Sequence, residues 1–198
     1  MPRIISGTAK GIPLKAPHGD KTRPTSDKTK EALFSILAAN LPGAVFLDLY
    51  AGSGQIGLEA ASRGAEKVYM VEQAAAGLSI IRSNLEKTRL QAKAILLSGS
   101  VERNVRQLSE QNVLFDVIFL DPPWHQAIAD FTRLSEYLAK LVSRDGIIVL
   151  EHDSKQEPPH DVRKLQWSRS CQYGSAMLSF YRKTETTAGT DKVMEAGS

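Results

Sequence analysis

From residue 44 onward, short apolar runs that suit strands alternate with longer stretches that suit helices, and this alternation constrains the fold most strongly. Strands are predicted at 44–50, 67–72, 93–98, 115–120 and 146–150. Helices are predicted between them, at 55–63, 74–88, 101–110 and 126–142. Strands this apolar are buried on both faces, so the pattern predicts an α/β fold with a parallel sheet between two layers of helices.

Two more strands are predicted after the helical signal fades near residue 160. They cover 162–168 and 175–182 and are joined by a turn at Tyr173-Gly174. A hairpin of this kind adds antiparallel strands at the edge of the sheet, which gives seven strands in all. Residues 184–198 have no periodic apolar pattern and are predicted to form a disordered tail.

The first 43 residues are predicted to form a separate basic extension. Short β-type pieces at 3–5 and 12–14 favour a hairpin, and a hydroxyl of Thr25 or Ser26 can cap the helix that follows. Residues 1–30 hold seven Lys and Arg residues against two Asp residues, whereas the rest of the chain holds 18 basic and 20 acidic residues. This asymmetry favours a polyanionic partner such as nucleic acid, and a solvated basic loop is the alternative.

Composition excludes several other classes of protein. The chain has 198 residues, of which 42% are hydrophobic and 24% charged, as in ordinary globular domains. No run approaches the roughly 18 apolar residues of a membrane span, and the amino terminus has no apolar secretion signal. Cys171 stands alone, so no intrachain disulfide is possible, and a cytoplasmic protein without membrane association is predicted. The four His residues show no metal-ligand spacing with Cys171, so no metal is expected.

A glycine-rich turn follows the first strand of the alternation. Gly52, Gly54 and Gly57 have the G-x-G-x-x-G spacing, which lets a ligand approach the backbone at the start of a helix. Glu72 ends the next strand, 20 residues after Gly52, where a carboxylate can bind both hydroxyls of a ribose. This spacing suits NAD and S-adenosylmethionine equally. Asp48, just before the glycines, would repel a pyrophosphate and attract an ammonium group, which favours S-adenosylmethionine.

The fourth strand ends in Asp121-Pro122-Pro123-Trp124, and a parallel sheet brings this tetrapeptide to the same edge as the glycine turn. The Asp121 carboxylate and the Pro122 carbonyl are hydrogen-bond acceptors, and Trp124 offers a flat apolar face. Together they suit a planar base whose exocyclic amino group accepts a methyl group. These four residues, Pro123 included, are the predicted catalytic residues. A base stacked within a nucleic acid would have to swing out to reach them.

Motifs along most of the chain form a recognisable set. In the amino-terminal part they are Arg3–Gly7, Arg23–Thr25 and Glu31–Phe34. Around the glycine turn they are Leu47–Gly54, Gly57–Ala60 and Ser62–Ala65, and further on they are Asp121–Trp124, Tyr173-Gly174 and Phe180-Tyr181. Over residues 3–183 this set resembles the RsmD family, bacterial enzymes that methylate the N2 of one guanine in small-subunit (16S) ribosomal RNA.

The resemblance implies a class I S-adenosylmethionine-dependent methyltransferase domain over 44–183, Rossmann-like, with seven mostly parallel strands and an antiparallel last strand. It implies that the cofactor is bound by Asp48, Tyr50, Ala51, Gly52, Ser53, Gly54, Glu72, Gln73, Ser100 and Val101. It implies an RNA-facing set composed of Lys10, Arg23, Thr25, Lys28 and Lys30. The implied partner is small-subunit ribosomal RNA or the assembling small ribosomal subunit, and a monomer is expected.

Two positions depart from the family pattern. Ser100 stands where the family usually has an acidic residue facing the adenine amino group, which predicts looser cofactor binding. Lys30 stands in place of an arginine and keeps the charge without the bidentate fork. Three alternative functions remain: methylation of adenine N6 in RNA or DNA, a dinucleotide-dependent oxidoreductase, and a non-catalytic RNA-binding relative. The intact Asp121 argues against the last of these.

Overall fold

The computed structural model describes residues 2–16 and 27–184, and in these ranges one mixed sheet lies between two layers of helices. The strands are β1 (Val45–Asp48), β2 (Lys67–Glu72), β3 (Ala94–Ser98), β4 (Phe115–Leu120), β5 (Val142–Asp153), β6 (Asp161–Val162), β7 (Leu165–Tyr173) and β8 (Ala176–Lys183). The helices are α1 (Asp27–Ile36), α2 (Gln55–Ser62), α3 (Ala75–Thr88), α4 (Val101–Glu110) and α5 (Ala127–Leu141). The strand order across the sheet is β3-β2-β1-β4-β5-β8-β7-β6.

The first five strands pair in parallel, and β8 pairs with β5 in the antiparallel direction, which confirms the predicted arrangement. Strand β1 lies between β2 and β4, at the point where the order of the strands reverses. Its pairing with β4 sets Asp48 opposite Phe119, so the carboxyl ends of the two strands emerge side by side. In an open α/β sheet this point forms the ligand crevice.

Within residues 2–16 and 27–184 the sheet has eight strands, and the prediction of seven is wrong. The segment predicted as one strand over 162–168 turns back on itself, because Val162 pairs with Leu165 in an antiparallel ladder. Arg163, between them, adopts a left-handed conformation with a φ of 60°. This conformation is uncommon for residues other than glycine, so the sequence carries little signal for the turn. The later turn is as predicted, with Tyr173 paired to Ala176.

Alternate residues of the central strands point into two separate apolar layers. Phe46 of β1 and Phe119 of β4 belong to the layer that includes residues of α2 and α3. Leu47 and Ile118, their neighbours in sequence, belong to the layer that includes residues of α4 and α5. All four side chains are buried. Both faces of the sheet are therefore covered, which is why these strands read as continuous apolar runs.

The amino-terminal arm (residues 2–16) packs onto the same sheet. Arg3 and Pro13 form an antiparallel bridge between the two short pieces that were predicted to pair. Ile4 and Leu14 are fully buried, together with Phe34 of α1, in the apolar layer that includes α2. The division of the chain at residue 43 stays a prediction about function, since the described residues on both sides share one core.

Some predictions fall on residues outside the described ranges. They are the helix-capping hydroxyls of Thr25 and Ser26 and the tail from residue 185 onward. Within the described ranges the longest helix, α5, has 15 residues, and none of the helices there combines the length and the apolar character that crossing a membrane requires.

A buried polar cluster joins the arm, α1 and α2. The side chains of Lys30 and Glu59 are both fully buried, with Nζ and Oε2 3.8 Å apart. Lys30 Nζ also donates to the carbonyl of Arg3 at 2.5 Å, and burial lowers the pKa of Lys30. Glu59 accepts the backbone N–H groups of Ile5 and Ser6 at 2.7 and 3.0 Å. One carboxylate of α2 therefore holds both the arm and the ammonium group of α1.

Candidate active site

A cavity of about 730 Å³ lies at the carboxyl ends of β1 to β4. Its walls come from the segments that follow these four strands. Among its lining residues are Tyr50, Gly52, Glu72, Gln73, Ser100, Val101, Asp121, Pro122, Pro123 and Trp124. The structure thus brings the glycine turn and the proline pair into one cavity. The other residues predicted to bind cofactor are buried and are not part of the described cavity surface: Asp48, Ala51, Ser53 and Gly54.

The glycine loop between β1 and α2 reaches this cavity at Gly52. Gly52 and Gly54 have φ angles of 55° and 78°, a left-handed conformation that glycine adopts without strain. Gly57 is required for a different reason. A Cβ atom there would lie 2.7 Å from Cγ of Met70, so glycine lets α2 pack closely against β2. The start of α2 is therefore held against the sheet directly after the loop.

The carboxylate of Glu72 is fixed by the backbone around it. Its Oε2 accepts the N–H of Gly52 at 2.9 Å, and its Oε1 accepts the N–H of Ala74 at 2.6 Å. Gly77 of α3 leaves room for this side chain, because a Cβ atom there would lie 2.8 Å from Glu72 Cδ. Each carboxylate oxygen keeps a further lone pair, so the fixed Glu72 can still accept hydrogen bonds from the two hydroxyls of a ribose.

Asp48 is a buried carboxyl group under the glycine loop. Its side chain accepts the N–H of Gly57 at 3.1 Å through Oδ2. Burial, the largest cause, raises the pKa of Asp48 to about 7 together with the carboxylates of Asp121 and Glu72, and the Gly57 N–H opposes this rise. Three carboxyl groups therefore meet at this edge of the sheet, and a cationic ligand bound beside them would be stabilised.

Gln55 is a candidate site residue that was not predicted from the sequence. It follows Gly54 as the first residue of α2 and is buried, and its Oε1 accepts no hydrogen bond within the described part of the chain. A buried acceptor without a donor costs about 1–3 kcal/mol. A ligand that brings N–H groups to the loop would remove this cost, and the ammonium group of S-adenosylmethionine is such a donor. The sequence gives no indication that the side chain of this glutamine is buried without a donor.

Asp48→Asn is expected to remove a pH dependence of ligand binding. In the parent protein, affinity for S-adenosylhomocysteine should rise between about pH 6 and about pH 8, because Asp48 ionises in this range and attracts the ligand's ammonium group. The variant should show a flat profile and an affinity about tenfold lower at the upper end. Calorimetric titrations across this range measure both quantities.

The free energy of unfolding of the ligand-free protein should fall as the pH rises, whereas the affinity for the ligand should rise. The raised pKa of Asp48 means that its contribution to stability is complete below the ordinary carboxyl range, near pH 4, and is lost as the pH rises through about 7. Asp48→Asn should therefore be more stable than the parent above neutral pH. Parallel pH profiles for binding in parent and variant would contradict the role of Asp48.

The Asp-Pro-Pro-Trp segment forms another part of the cavity wall. Pro122 is buried, Trp124 is half-buried, and Pro123 is exposed. The N–H of Gln126 donates to the carbonyl of Pro123 at 2.8 Å, which closes a tight turn just before α5. The two prolines bring no backbone donors, so this segment offers acceptors to an amino group: the Asp121 carboxylate and the Pro122 carbonyl.

A hydrogen-bonded series of four polar side chains also lines the cavity, and only its first member, Tyr50, was predicted from the sequence. The hydroxyl of Tyr50 donates to Asp130 Oδ2 at 2.9 Å, and Arg133 Nη2 donates to Asp130 Oδ1 at 2.8 Å. Arg133 also donates to Glu102 of α4. The loop after β1 is thereby connected to α5, and α5 to α4. Asp130 and Arg133 are three residues apart on one helix, and this spacing could have predicted the ion pair between them.

Ser100 has a structural role besides lining the cavity. Its Oγ accepts the N–H of Arg103 at 3.3 Å and caps the amino terminus of α4. Serine and aspartate are equally good in this capping position, so a serine in place of the family's acidic residue still caps the helix. The acidic side chain that α4 brings to the cavity is Glu102, which is paired with Arg133. Looser cofactor binding through Ser100 stays a prediction.

The predicted RNA-facing residues lie in different environments. Lys10 and Lys28 are exposed, whereas Arg23 and Thr25 lie outside the described residues. The burial of Lys30 contradicts its predicted role, because its ammonium group lies inside the protein against a buried glutamate of α2. An ammonium group in this position cannot reach a phosphate, so Lys30 does not belong to the RNA-facing set.

Known structures share this architecture. The chain superposes on the Thermus thermophilus protein TTHA0928 with a TM-score of 0.80 and 31% identity, covering 92% of this chain and 99% of that one. It superposes on the methylase candidate HI0767 of Haemophilus influenzae with a TM-score of 0.73 and 27% identity, covering 93% and 99%. The sheet order, the glycine loop and the shared cavity define the fold as that of the class I methyltransferases.

The sequence comparisons narrow the class to one family. Residues 2–182 match the family described as Conserved hypothetical protein 95. The chain is 38% identical over 183 residues to YlbH of Bacillus subtilis, a protein named provisionally as an rRNA methyltransferase, covering 91% of this chain and 98% of that one. It is 32% identical over 130 residues to ribosomal RNA small subunit methyltransferase D of Escherichia coli, covering 66% and 64%. The chain belongs to the RsmD family.

Proposed function

We propose that the protein transfers a methyl group from S-adenosylmethionine to the exocyclic N2 of a guanine in small-subunit (16S) ribosomal RNA. Relatives in Escherichia coli and Haemophilus influenzae are named ribosomal RNA small subunit methyltransferase D. One observation carries the proposal: the glycine loop with Glu72 and the segment Asp121–Trp124 line the same cavity. A methyl donor and an acceptor amine can therefore bind next to each other, which supplies much of the acceleration through positioning.

The residues around the glycine loop fit S-adenosylmethionine, which supplies a methyl group on a positively charged sulfur when it is bound. Glu72, fixed by two backbone N–H groups, would accept the ribose hydroxyls. The carboxyl group of Asp48 and the unpaired Oε1 of Gln55 would favour the ammonium group. The same carboxyl groups would repel a pyrophosphate, which argues against a dinucleotide-dependent oxidoreductase.

The segment after β4 would prepare the acceptor nitrogen. The lone pair of an exocyclic amine is delocalised into its ring, which makes the nitrogen a poor nucleophile. Hydrogen bonds from its two N–H groups to the Asp121 carboxylate and the Pro122 carbonyl would favour a pyramidal nitrogen. The nitrogen loses one proton when it is methylated, and the Asp121 carboxylate can receive it. Stacking on Trp124 would hold the base and is worth about 1–3 kcal/mol.

The basic amino-terminal region would contact the RNA. Lys10 and Lys28 are exposed in a region with an excess of Lys and Arg, and such residues neutralise phosphates. We expect the partner to be small-subunit ribosomal RNA or the assembling subunit, and the protein to act as a monomer in the cytoplasm. The roles of Arg23 and Thr25 near the cavity mouth stay predictions from the family resemblance.

Methyl transfer to separate substrates tests the proposal. Radiolabelled S-adenosylmethionine is supplied with naked 16S rRNA, with small ribosomal subunits and with DNA, and the labelled nucleoside is identified after digestion. We expect N2-methylguanosine from one of the two RNA substrates. Label in N6-methyladenine would reassign the acceptor base. Binding of S-adenosylhomocysteine and RNA without any label would indicate a non-catalytic RNA-binding protein, and tight binding of NAD would indicate an oxidoreductase.

A further inference from the structure

Asn84 of α3 makes three hydrogen bonds that join two segments far apart in the sequence. Its Nδ2 donates to the carbonyl of Ser53 and to the carbonyl of Lys15, both at 2.9 Å. Its Oδ1 accepts the N–H of Lys15 at 2.8 Å. The side chain is fully buried. The glycine loop and the amino-terminal arm are therefore held by one buried amide.

The chemistry of this contact specifies an amide. The two carbonyl groups of Ser53 and Lys15 need two donors, and the Lys15 N–H needs an acceptor, all within one short planar side chain. The side chain of Asn84 supplies this combination. An ionised carboxylate of the same shape has no donors and would face both carbonyl oxygens, and an apolar side chain would leave all three backbone groups unpaired.

Ser53 is the part of the loop whose position this contact controls. It lies between Gly52 and Gly54, and both have a positive φ, so the backbone on either side of Ser53 has unusual conformational freedom. Gly52 is held from one side by Glu72. The hydrogen bond from Asn84 holds the next residue, Ser53. Because Gly52 and Glu72 line the cavity, a displaced Ser53 would change the shape of the ligand site.

The second segment that Asn84 holds is part of the basic arm. Its side chain bonds both the N–H and the C=O of Lys15, whose own side chain is exposed. Lys87 of the same helix donates to the carbonyl of Pro13 at 2.6 Å. Helix α3 therefore fixes the backbone of the arm at two points, and at one of them the same amide reaches the cofactor loop.

We propose that Asn84 is a positioning residue that fixes the glycine loop against the amino-terminal arm, so that cofactor affinity depends on its side-chain amide. Asn84 does not line the cavity formed by the described residues, and it acts on the ligand through Ser53. The inference rests on the cofactor site of the proposed function. It is independent of the base that is methylated and of the RNA.

Asn84→Ala and Asn84→Asp test this role through binding and through amide hydrogen exchange. We expect the affinity for S-adenosylhomocysteine to fall by about tenfold or more, with a higher KM for S-adenosylmethionine and a kcat within about threefold of the parent. Exchange should become faster at residues 52–55 and at Lys15 together. For Asn84→Asp, the deficit in affinity relative to the parent at the same pH should shrink as the pH falls, because a protonated carboxyl regains one donor.

Thr88→Val is the matched control. Thr88 lies one turn further along α3, is buried, and donates its hydroxyl to the carbonyl of Asn84 within the helix at 2.8 Å. Its replacement disturbs the same helix without touching the loop or the arm. We expect its affinity for S-adenosylhomocysteine to stay within about twofold of the parent. A folded Asn84→Ala protein with parental affinity and parental exchange at 52–55 would overturn the proposal.

The parent protein provides a test that needs no variant to fold. Binding of S-adenosylhomocysteine should slow exchange of the Lys15 amide, although Lys15 does not line the described cavity, because Asn84 connects it to Ser53. Unchanged exchange at Lys15 in the bound protein would contradict the inference. If the parent does not bind S-adenosylhomocysteine at all, the cofactor assignment fails, and exchange in the ligand-free Asn84 variants alone decides the role of Asn84.

Discussion

Asp121→Ala is expected to lower the rate of methyl transfer by about 10²- to 10³-fold, while the affinity for S-adenosylhomocysteine stays within about threefold of the parent. The proposed partner of the Asp121 carboxylate is the amino group of the target base, and the ribose and ammonium contacts of the cofactor come from other residues. Its loss should therefore affect the chemical step. Single-turnover reactions at saturating cofactor measure this step separately from binding and product release.

Asp121→Asn separates hydrogen bonding from charge. Its amide oxygen keeps one acceptor, but its two N–H groups would face the amino group of the base, so an intermediate rate is expected. Asp145→Ala is the control, because Asp145 is an exposed carboxylate on β5 whose side chain does not line the cavity. A rate within about threefold of the parent for Asp121→Ala would refute the role assigned to Asp121.

Asp121→Ala should also change the pKa of Asp48. The Asp121 carboxylate helps to raise the pKa of Asp48, although burial is the larger cause. Asp121→Ala should therefore shift the pH dependence of S-adenosylhomocysteine binding toward lower pH. An intact but shifted binding profile, together with the loss of methyl transfer, would distinguish a local effect on the cavity from general unfolding.

The glycine loop was predictable because it depends on short spacings along the chain. A strand, a glycine turn and a helix follow one another directly, and only the reach of Glu72 spans a longer distance. The bond from the Gly52 N–H to the Glu72 carboxylate shows how the acidic end of β2 meets the turn. The proximity of Asp121 follows from a general rule of α/β sheets, since β1 and β4 pair side by side.

The misjudged features depend on partners that the sequence does not reveal. The basic character of Lys30 is plain from the sequence, but its burial depends on a carboxylate of another helix. The bond from Tyr50 to Asp130, which was not predicted, bridges 80 residues, and the role of Tyr50 in cofactor binding stays a prediction. The extra strand results from the left-handed backbone of Arg163. In each case the outcome depends on a contact or a backbone angle that only the folded chain defines.

Glu59→Gln is expected to lower the free energy of unfolding by about 3–5 kcal/mol. The variant keeps the shape of the side chain but leaves the buried ammonium group of Lys30 with only the half-exposed carboxylate of Asp27, 3.9 Å away. A buried charge that has lost its buried partner is far more costly than an exposed one. The side chain of Arg63, which donates to Glu59 at 2.7 Å, loses its partner as well. Urea denaturation of both proteins at neutral pH measures the difference.

A surface ion pair on α4 is the matched control. Arg106 and Glu110 are 3.1 Å apart, and both side chains are about two-thirds exposed. Glu110→Gln should therefore change the free energy of unfolding by no more than about 1 kcal/mol. The double variant with Lys30→Met and Glu59→Gln should recover more than half of the loss, because it removes the stranded charge.

The pH dependence identifies the cause of the Glu59 effect. Burial lowers the pKa of Lys30 and the Glu59 carboxylate raises it, so Glu59→Gln should lower that pKa further. For a basic group with a lowered pKa in the folded state, stability is gained as the pH rises through that pKa toward the ordinary lysine value near 10.5. The deficit of the variant should therefore shrink toward pH 10, where Lys30 can lose its proton. A deficit that stays constant would assign the loss to the weakened bonds with Ile5 and Ser6 and not to the charge of Lys30.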